Sequence, residues 1–251
     1  AELKEKYGDE RRSEICRDGD SDFDPRDFIV KESAVITLSK EGYVKRCSLA
    51  EYRKQRRGGV GRRAGKTREG DIIDQLFIAN THDEVLCFTS LGRVFSLDVY
   101  KIPETSRAAR GSAIVNLLQL DKDAGEKVRI LLPVDAYDAG RYVVMATAGG
   151  VIKKTALPEF EMHNKNGKRA IILDEGDELV GVALSDGEHD VMLVSSLGRC
   201  IRFSEGDVRG TGRSSRGIGG MRLPEGAKVL SMAVVKDEAQ MLLVACENGY
   251  G

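Results

Sequence analysis

The sequence predicts an all-β protein built from repeated four-stranded blades, and three recurrences in the chain predict it. First, the segments AVITLSKEGYVKRCSL, EVLCFTSLGRVFSLDV, YVVMATAGGVIKKTAL, DVMLVSSLGRCIRFSE and QMLLVACENGYG share one pattern: an apolar run, a small residue, a short turn, Gly, and in the first four a second apolar run. The anchoring glycines, Gly42, Gly92, Gly150, Gly198 and Gly249, are 50, 58, 48 and 51 residues apart. Second, Gly61, Gly111, Gly167 and Gly217 follow the first four at 19, 19, 17 and 19 residues, each in a basic stretch. Third, an acid-Gly pair stands nine residues further on at Glu69-Gly70, Glu175-Gly176 and Glu225-Gly226. A period near fifty residues marks a repeat architecture, and each repeat is then one supersecondary unit.

Taken in chain order, residues 1–16 (AELKEKYGDERRSEIC) are charged and helix-compatible, and residues 17–32 read as an Asp-rich linker. Residues 33–251 hold the repeats, with blades expected at about 33–83, 84–138, 139–187, 188–237 and an incomplete one at 238–251. Each opens with a hairpin, because two strand-like runs joined by a short turn ending in Gly need the positive φ that Gly supplies. Two more strand-like runs follow, such as AIVNLL then VRILLPV, or RAIILD then ELVGVALS. Four strands per repeat describe blades set about an axis, which cover one another's faces. The second repeat is longer, and its extra residues are expected around Asp121 to Gly125.

Several function classes fall away. No apolar run approaches the roughly 18–20 residues that span a bilayer, and the first residues lack the apolar core of a secretory signal. Cys16, Cys47, Cys87, Cys200 and Cys246 form no CxxC pair, and the last four sit in apolar or strand-like contexts, so they read as reduced core thiols of a cytoplasmic protein. With His82, His163 and His189 scattered, no zinc site is expected. Gly65-Lys66-Thr67 resembles the end of a phosphate-binding loop, but Val60 stands where its first Gly is required, and Ala64 breaks a GxGxxG string. Asp18, Asp20, Asp22 and Asp24 alternate as in a calcium loop, yet Phe23 and Ile29 occupy the positions of its Gly and bidentate Glu. No Ser-His-Asp or HExxH arrangement is present, so no catalytic residues and no metal ligands are assigned.

Charge is informative in its distribution. The chain carries 39 bases and 40 acids overall, but residues 51–70 hold eight bases and five glycines against two acids. Residues 1–32 hold eleven acids against seven bases. A basic loop with free backbone donors and little bulk suits the phosphate backbone of a duplex. Basic residues recur beside the equivalent turn of later repeats: Arg107 and Arg110, Lys165, Lys168 and Arg169, Arg213 and Arg216. In phase on successive blades, they would form one curved track, the feature that bends DNA.

The string QRRGGVG, Gln55, Arg56, Arg57, Gly58, Gly59, Val60 and Gly61, closely resembles the basic box of the C-terminal domain of bacterial DNA gyrase A subunits. The repeats resemble that family from about Ser33 onward, through strings such as VITLS, GYVKR, ANTHD, RAARG and GDELVGV, and residues 1–16 resemble the end of the helical arm preceding it. The resemblance implies a β-pinwheel, a propeller-like disc of six blades in the family, whose rim wraps double-stranded DNA. It also implies that strand cleavage and ATP hydrolysis lie outside this chain, with ATP and Mg used by an A2B2 holoenzyme containing the rest of the A subunit together with the gyrase B subunit. DNA-contacting residues are then expected at Gln55, Arg56, Arg57, Gly58, Gly59 and Gly61, extended by the adjacent Arg62, Arg63 and Lys66 and by the later basic turns. Val60 departs from the cation usual at the sixth position of the box, which keeps open the related C-terminal domain of topoisomerase IV A subunits, where the box is usually poorly formed. A protein-binding propeller of WD40 type is disfavoured because the chain has no Trp.

Overall fold

The computed structural model describes residues 2–8, 24–51, 71–161 and 166–244. Two units separate by their contacts, Ala1–Val30 and Lys31–Gly251. In the first, helix α1 covers Glu2–Tyr7, and a 3-10 turn covers Pro25–Phe28. Asp24 caps that turn by accepting from the Arg26 N–H at 2.9 Å, and Pro25 supplies the preset φ of a first helical position. Helix α1 ends before Gly8, and residues 9–16 of the expected helix and 17–23 of the acidic linker lie outside the described residues.

The second unit is a succession of antiparallel sheets. Strands β1 (Ser33–Ser39), β2 (Tyr43–Ser48) and β3 (Ile73–Asn80) come from the first repeat, and β4 (Glu84–Thr89), β5 (Arg93–Asp98), β6 (Ser112–Ala113) and β7 (Val128–Val134) from the second. The third contributes β8 (Tyr142–Thr147), β9 (Val151–Ala156), β10 (Lys168–Arg169) and β11 (Leu179–Ser185), and the fourth β12 (Asp190–Ser195), β13 (Cys200–Ser204), β14 (Ile218–Gly219) and β15 (Val229–Val235). The hairpins β1–β2, β4–β5, β8–β9 and β12–β13 turn at Gly42, Gly92, Gly150 and Gly198, whose φ values of 85°, 70°, 86° and 71° only Gly adopts readily. The small residue before each turn has its own task. The hydroxyls of Ser39, Thr89, Thr147 and Ser195 accept from the N–H just after the glycine at 3.1–3.3 Å, so each buried hydroxyl at a strand end closes its turn.

Three of the sheets have four strands, and one strand of each of these three comes from the following repeat. Their orders are β3-β1-β2-β6, β10-β5-β4-β7 and β11-β8-β9-β14, while the last, β13-β12-β15, has three among the described residues. The runs AIVNLL and RAIILD therefore do not form full strands of their own repeats. Only Ser112–Ala113 and Lys168–Arg169 pair, and they pair with the preceding repeat before the chain turns away. Strands β3, β7, β11 and β15 neighbour one another in that order, so the borrowed strand lies at the opposite, outer edge of its sheet.

Apolar cores fill the spaces between sheets. Ile36, Leu38 and Val44 meet Val85, Cys87 and Phe95 in the first core. Leu86, Phe88 and Val94 meet Val143, Met145 and Phe160 in the second. Val144, Ala146 and Ile152 meet Val191 and Leu193 in the third. Alternate residues of β4 and of β8 thus face different cores, which is why these strands read as continuous apolar runs. Phe88 and Phe160 meet edge to face across the second core, ring centroids 6.0 Å apart. Among the cysteines, Cys47 and Cys87 are buried in the core as expected, and Cys16 and Cys246 lie outside the described residues. Cys200 is exposed rather than in the core, because no further sheet covers β13 among the described residues.

Candidate nucleic-acid interface

The borrowed segments bring the basic turns to the outer edge. Segment 103–113 attaches to β2 at two places: Arg46 exchanges backbone bonds with Pro103 (3.1 Å) and Thr105 (2.9 Å), and Ser112 and Ala113 pair with Val44 and Tyr43. Between these attachments residues 106–111 must bulge away. Gly111 closes the bulge at φ 89°, where a Cβ would stand 2.6 Å from the Val44 carbonyl oxygen. Segment 210–220 repeats this on β9: Thr211 N–H donates to the Lys154 carbonyl (2.8 Å), Ile218 and Gly219 pair with Ile152 and Val151, and Gly217 has φ 100°.

Each of these two bulges closes around a buried ammonium. Lys45, on β2 between the two attachments and 3% exposed, donates from Nζ to the carbonyls of Arg107 (2.5 Å) and Ala109 (2.8 Å). Lys153, on β9 and 1% exposed, donates to the carbonyls of Arg213 (2.5 Å), Ala170 (2.7 Å) and Ser215 (3.2 Å). An exposed carboxylate completes each arrangement: Glu51 accepts from the Arg107 N–H at 2.8 Å, and Glu159 from the Arg213 N–H at 3.2 Å. Burial lowers the pKa of Lys45 and pushes that of Lys153 down to about 8; at Lys153 the nearby Glu159 favours the charge and opposes this shift, while Arg213 adds to it. In the second sheet the equivalent position is Phe95, whose ring lies where a Cβ on Gly167 would stand, 2.6 Å from its Cζ. The same glycine landmark thus serves φ at Gly111 and Gly217, and space at Gly167.

The predicted contact residues are placed as follows. Gln55, Arg56, Arg57, Gly58, Gly59, Gly61, Arg62, Arg63 and Lys66 lie outside the described residues, as does Lys165. Arg107 is half-buried on the first bulge, while the Arg110 guanidinium lies over the Tyr43 ring at 3.9 Å. Lys168 donates to the Glu161 carbonyl at 2.6 Å, and Arg169 is exposed. Arg213 Nη1 reaches the Arg169 carbonyl at 3.4 Å, and the Ile172 N–H donates to the Ser215 carbonyl at 3.1 Å, so the third and fourth turns adjoin. Arg216 is exposed and paired with Asp174 at 2.5 Å. Sequence reasoning missed Lys45, Lys153, Glu51 and Glu159. Their signal was available: Lys three and Glu nine residues after the hairpin Gly in the first and third repeats, with Arg-x-x-Arg-Gly in the repeat that follows each. No cluster of three metal-ligating side chains occurs among the described residues, and no helix among them is long and apolar enough to cross a membrane.

Sheets that share strands in succession, with arginines and lysines on the turns at their outer edge, define a propeller-like repeat protein. The family model described as DNA gyrase C-terminal domain, beta-propeller, matches residues 34–80, 83–135, 141–186 and 189–236, one segment per repeat. The chain belongs to that family. It is 49% identical to the DNA gyrase A subunit of Escherichia coli K12 over 98% of this chain and 28% of that protein, and 41% identical to the DNA gyrase A subunit of Staphylococcus epidermidis over 100% and 28%. The chain therefore spans little more than a quarter of these relatives. Among solved structures it resembles a DNA gyrase A C-terminal domain (TM-score 0.68, 27% identity, 82% of this chain and 66% of that one). It is similarly like the C-terminal domain of a DNA topoisomerase IV (TM-score 0.66, 26% identity, 83% and 63%).

Proposed function

We propose that this chain binds duplex DNA with little sequence preference and wraps it along the edge formed by the borrowed strands, as the non-catalytic part of a gyrase. In that role it would act in the cytoplasm beside the rest of the A subunit, in complex with the gyrase B subunit. Wrapping would orient the DNA so that ATP-dependent strand passage, catalysed outside this chain, introduces negative supercoils. The observation that carries the reading is the recurrence of basic turns at the same edge of successive sheets, with Arg107, Lys168, Arg169, Arg213 and Arg216 among their members. Many phosphate contacts spread along a curve can offset a bending cost of about 1–10 kcal/mol. The box from Gln55 to Gly61, with Arg62, Arg63 and Lys66, belongs to the same track in this reading, as do Arg110 and Lys165.

Affinity for a random-sequence duplex is expected to fall steeply with salt, by about 0.9 in the log-log slope per phosphate neutralised. Ligation of nicked circles in the presence of the chain then separates wrapping from binding, since wrapping leaves a shift in linking number. A flat salt response would overturn the electrostatic reading, and salt-dependent binding without a topological shift would overturn wrapping. The second reading, a topoisomerase IV module, is kept open by Val60 in the box and by structural likenesses of similar size, TM-scores 0.66 and 0.68. Binding that leaves circle topology unchanged favours it.

A further inference from the structure

We propose that Lys45 and Lys153 are positioning residues that pre-organise two of the basic turns, residues 107–111 and 213–217, for contact with the phosphate backbone. The inference rests on the reading of this edge as a DNA-binding surface. Each lysine sits on a strand between the two points where a borrowed segment attaches, and the intervening turn closes on its ammonium through two carbonyls. Glu51 and Glu159 hold the same turns from the N–H of their first arginine. The first Arg of each Arg-x-x-Arg-Gly turn is thus fixed at both its N–H and its C=O.

Packing does not call for lysine here. The equivalent position three residues after the hairpin glycine is Phe95 in the second repeat and Ile201 in the fourth, so the fold accepts apolar side chains there. Burying an ammonium is costly unless it is fully bonded, and the lowered pKa values of both lysines register that cost. What the lysine adds is the shape and field of the turn. Carbonyl oxygens that would repel a phosphate are drawn inward onto the ammonium, and a full positive charge is set directly beneath the surface. A turn already closed also has less conformational freedom to lose when DNA binds.

The test compares Lys45→Met plus Lys153→Met with Arg107→Ala plus Arg213→Ala in the whole chain, using a random-sequence duplex. Unfolding curves verify the fold, and amide exchange is followed by mass spectrometry without DNA. The lysine variant is expected to bind roughly tenfold more weakly, with faster exchange confined to peptides covering 107–111 and 213–217 and a salt slope changed by less than about one. The arginine variant is expected to lower the slope by about two and leave exchange unchanged. Should the lysine variant fail to fold, Glu51→Ala plus Glu159→Ala at exposed positions is read by exchange alone, expected to be faster over 107–111 and 213–217, because removing two carboxylates from a phosphate-binding edge itself favours DNA. Wild-type affinity and exchange in a folded lysine variant, or wild-type exchange in the glutamate variant if that one is used, would overturn the proposal. A wild-type chain that shows no salt-dependent DNA binding would instead overturn the reading on which it rests.

Discussion

The turns borrowed by the first and third sheets and the turn borrowed by the second occupy equivalent places but are supported by different chemistry. Under 107–111 and 213–217 lies an ammonium bonded to turn carbonyls. Under Gly167 lies the Phe95 ring, with the Arg93 guanidinium stacked over it at 4.8 Å and held by buried Glu126 at 3.0 Å. In the second sheet the nearby cation is neutralised within its own repeat, while in the other two the buried cation is left to the turn. A repeat can therefore keep its fold and vary the electrostatics of its edge by changing one inward position.

The largest expected effect tests whether Phe95 is the structural alternative to lysine. Phe95→Ala removes a ring 1% exposed in the first core and should cost about 3–5 kcal/mol in urea unfolding. A loss below about 1 kcal/mol would mean that the ring does not support the core or its turn. Next come the two kinds of glycine. Gly217→Ala and Gly167→Ala should each cost about 1–3 kcal/mol. Phe95→Leu should relieve the second and leave the first unchanged, because φ 100° at Gly217 is a backbone constraint that no smaller neighbour removes. A double-mutant cycle with no coupling between Gly167 and Phe95 would break the distinction.

A third expectation concerns pH. The Lys153 pKa of about 8 lies below the ordinary lysine value of about 10.4, so between these values the unfolded chain binds more protons than the folded one. Stability contributed by Lys153 therefore rises with pH across that window. The stability difference between the wild type and Lys153→Met should shift toward the wild type by about 1–3 kcal/mol from pH 7.5 to about 10.5. No shift would mean that the ammonium is not desolvated in the folded chain. The smallest effect belongs to Arg216, exposed and paired with Asp174. Arg216→Ala should change stability by no more than about 0.5 kcal/mol and reduce the salt slope of DNA binding by about 0.9. An unchanged slope would remove Arg216 from the phosphate track.

Much of the fold is legible in the sequence because its signals are local. Gly42, Gly92, Gly150 and Gly198 mark their turns through φ, and the Ser or Thr three residues earlier marks the hydroxyl that closes each one. The third strand-like run reads as a full strand and is not one, because an apolar string such as AIVNLL carries no mark of its partner. Ser112 and Ala113 pair with a strand about seventy residues earlier, and Ile114 onward turns into a 3-10 segment that packs in the core. Lys45 and Lys153 escape a reading of the sequence for a similar reason. A lysine on a strand reads as a solvated face, and its burial depends on a segment that arrives from the next repeat.

By itself the sequence determined the all-β class, the fifty-residue period, the hairpins and the basic composition of the turns, since each follows from spacing and from the backbone freedom of single residues. Tertiary structure decided which repeat completes which sheet, which cysteines are buried, and which cations face outward and which lie beneath a turn. Those outcomes depend on contacts between residues some fifty to seventy positions apart, such as Lys45 with Arg107 and Lys153 with Arg213. No pattern within a single repeat encodes them; their trace in the sequence spans two repeats.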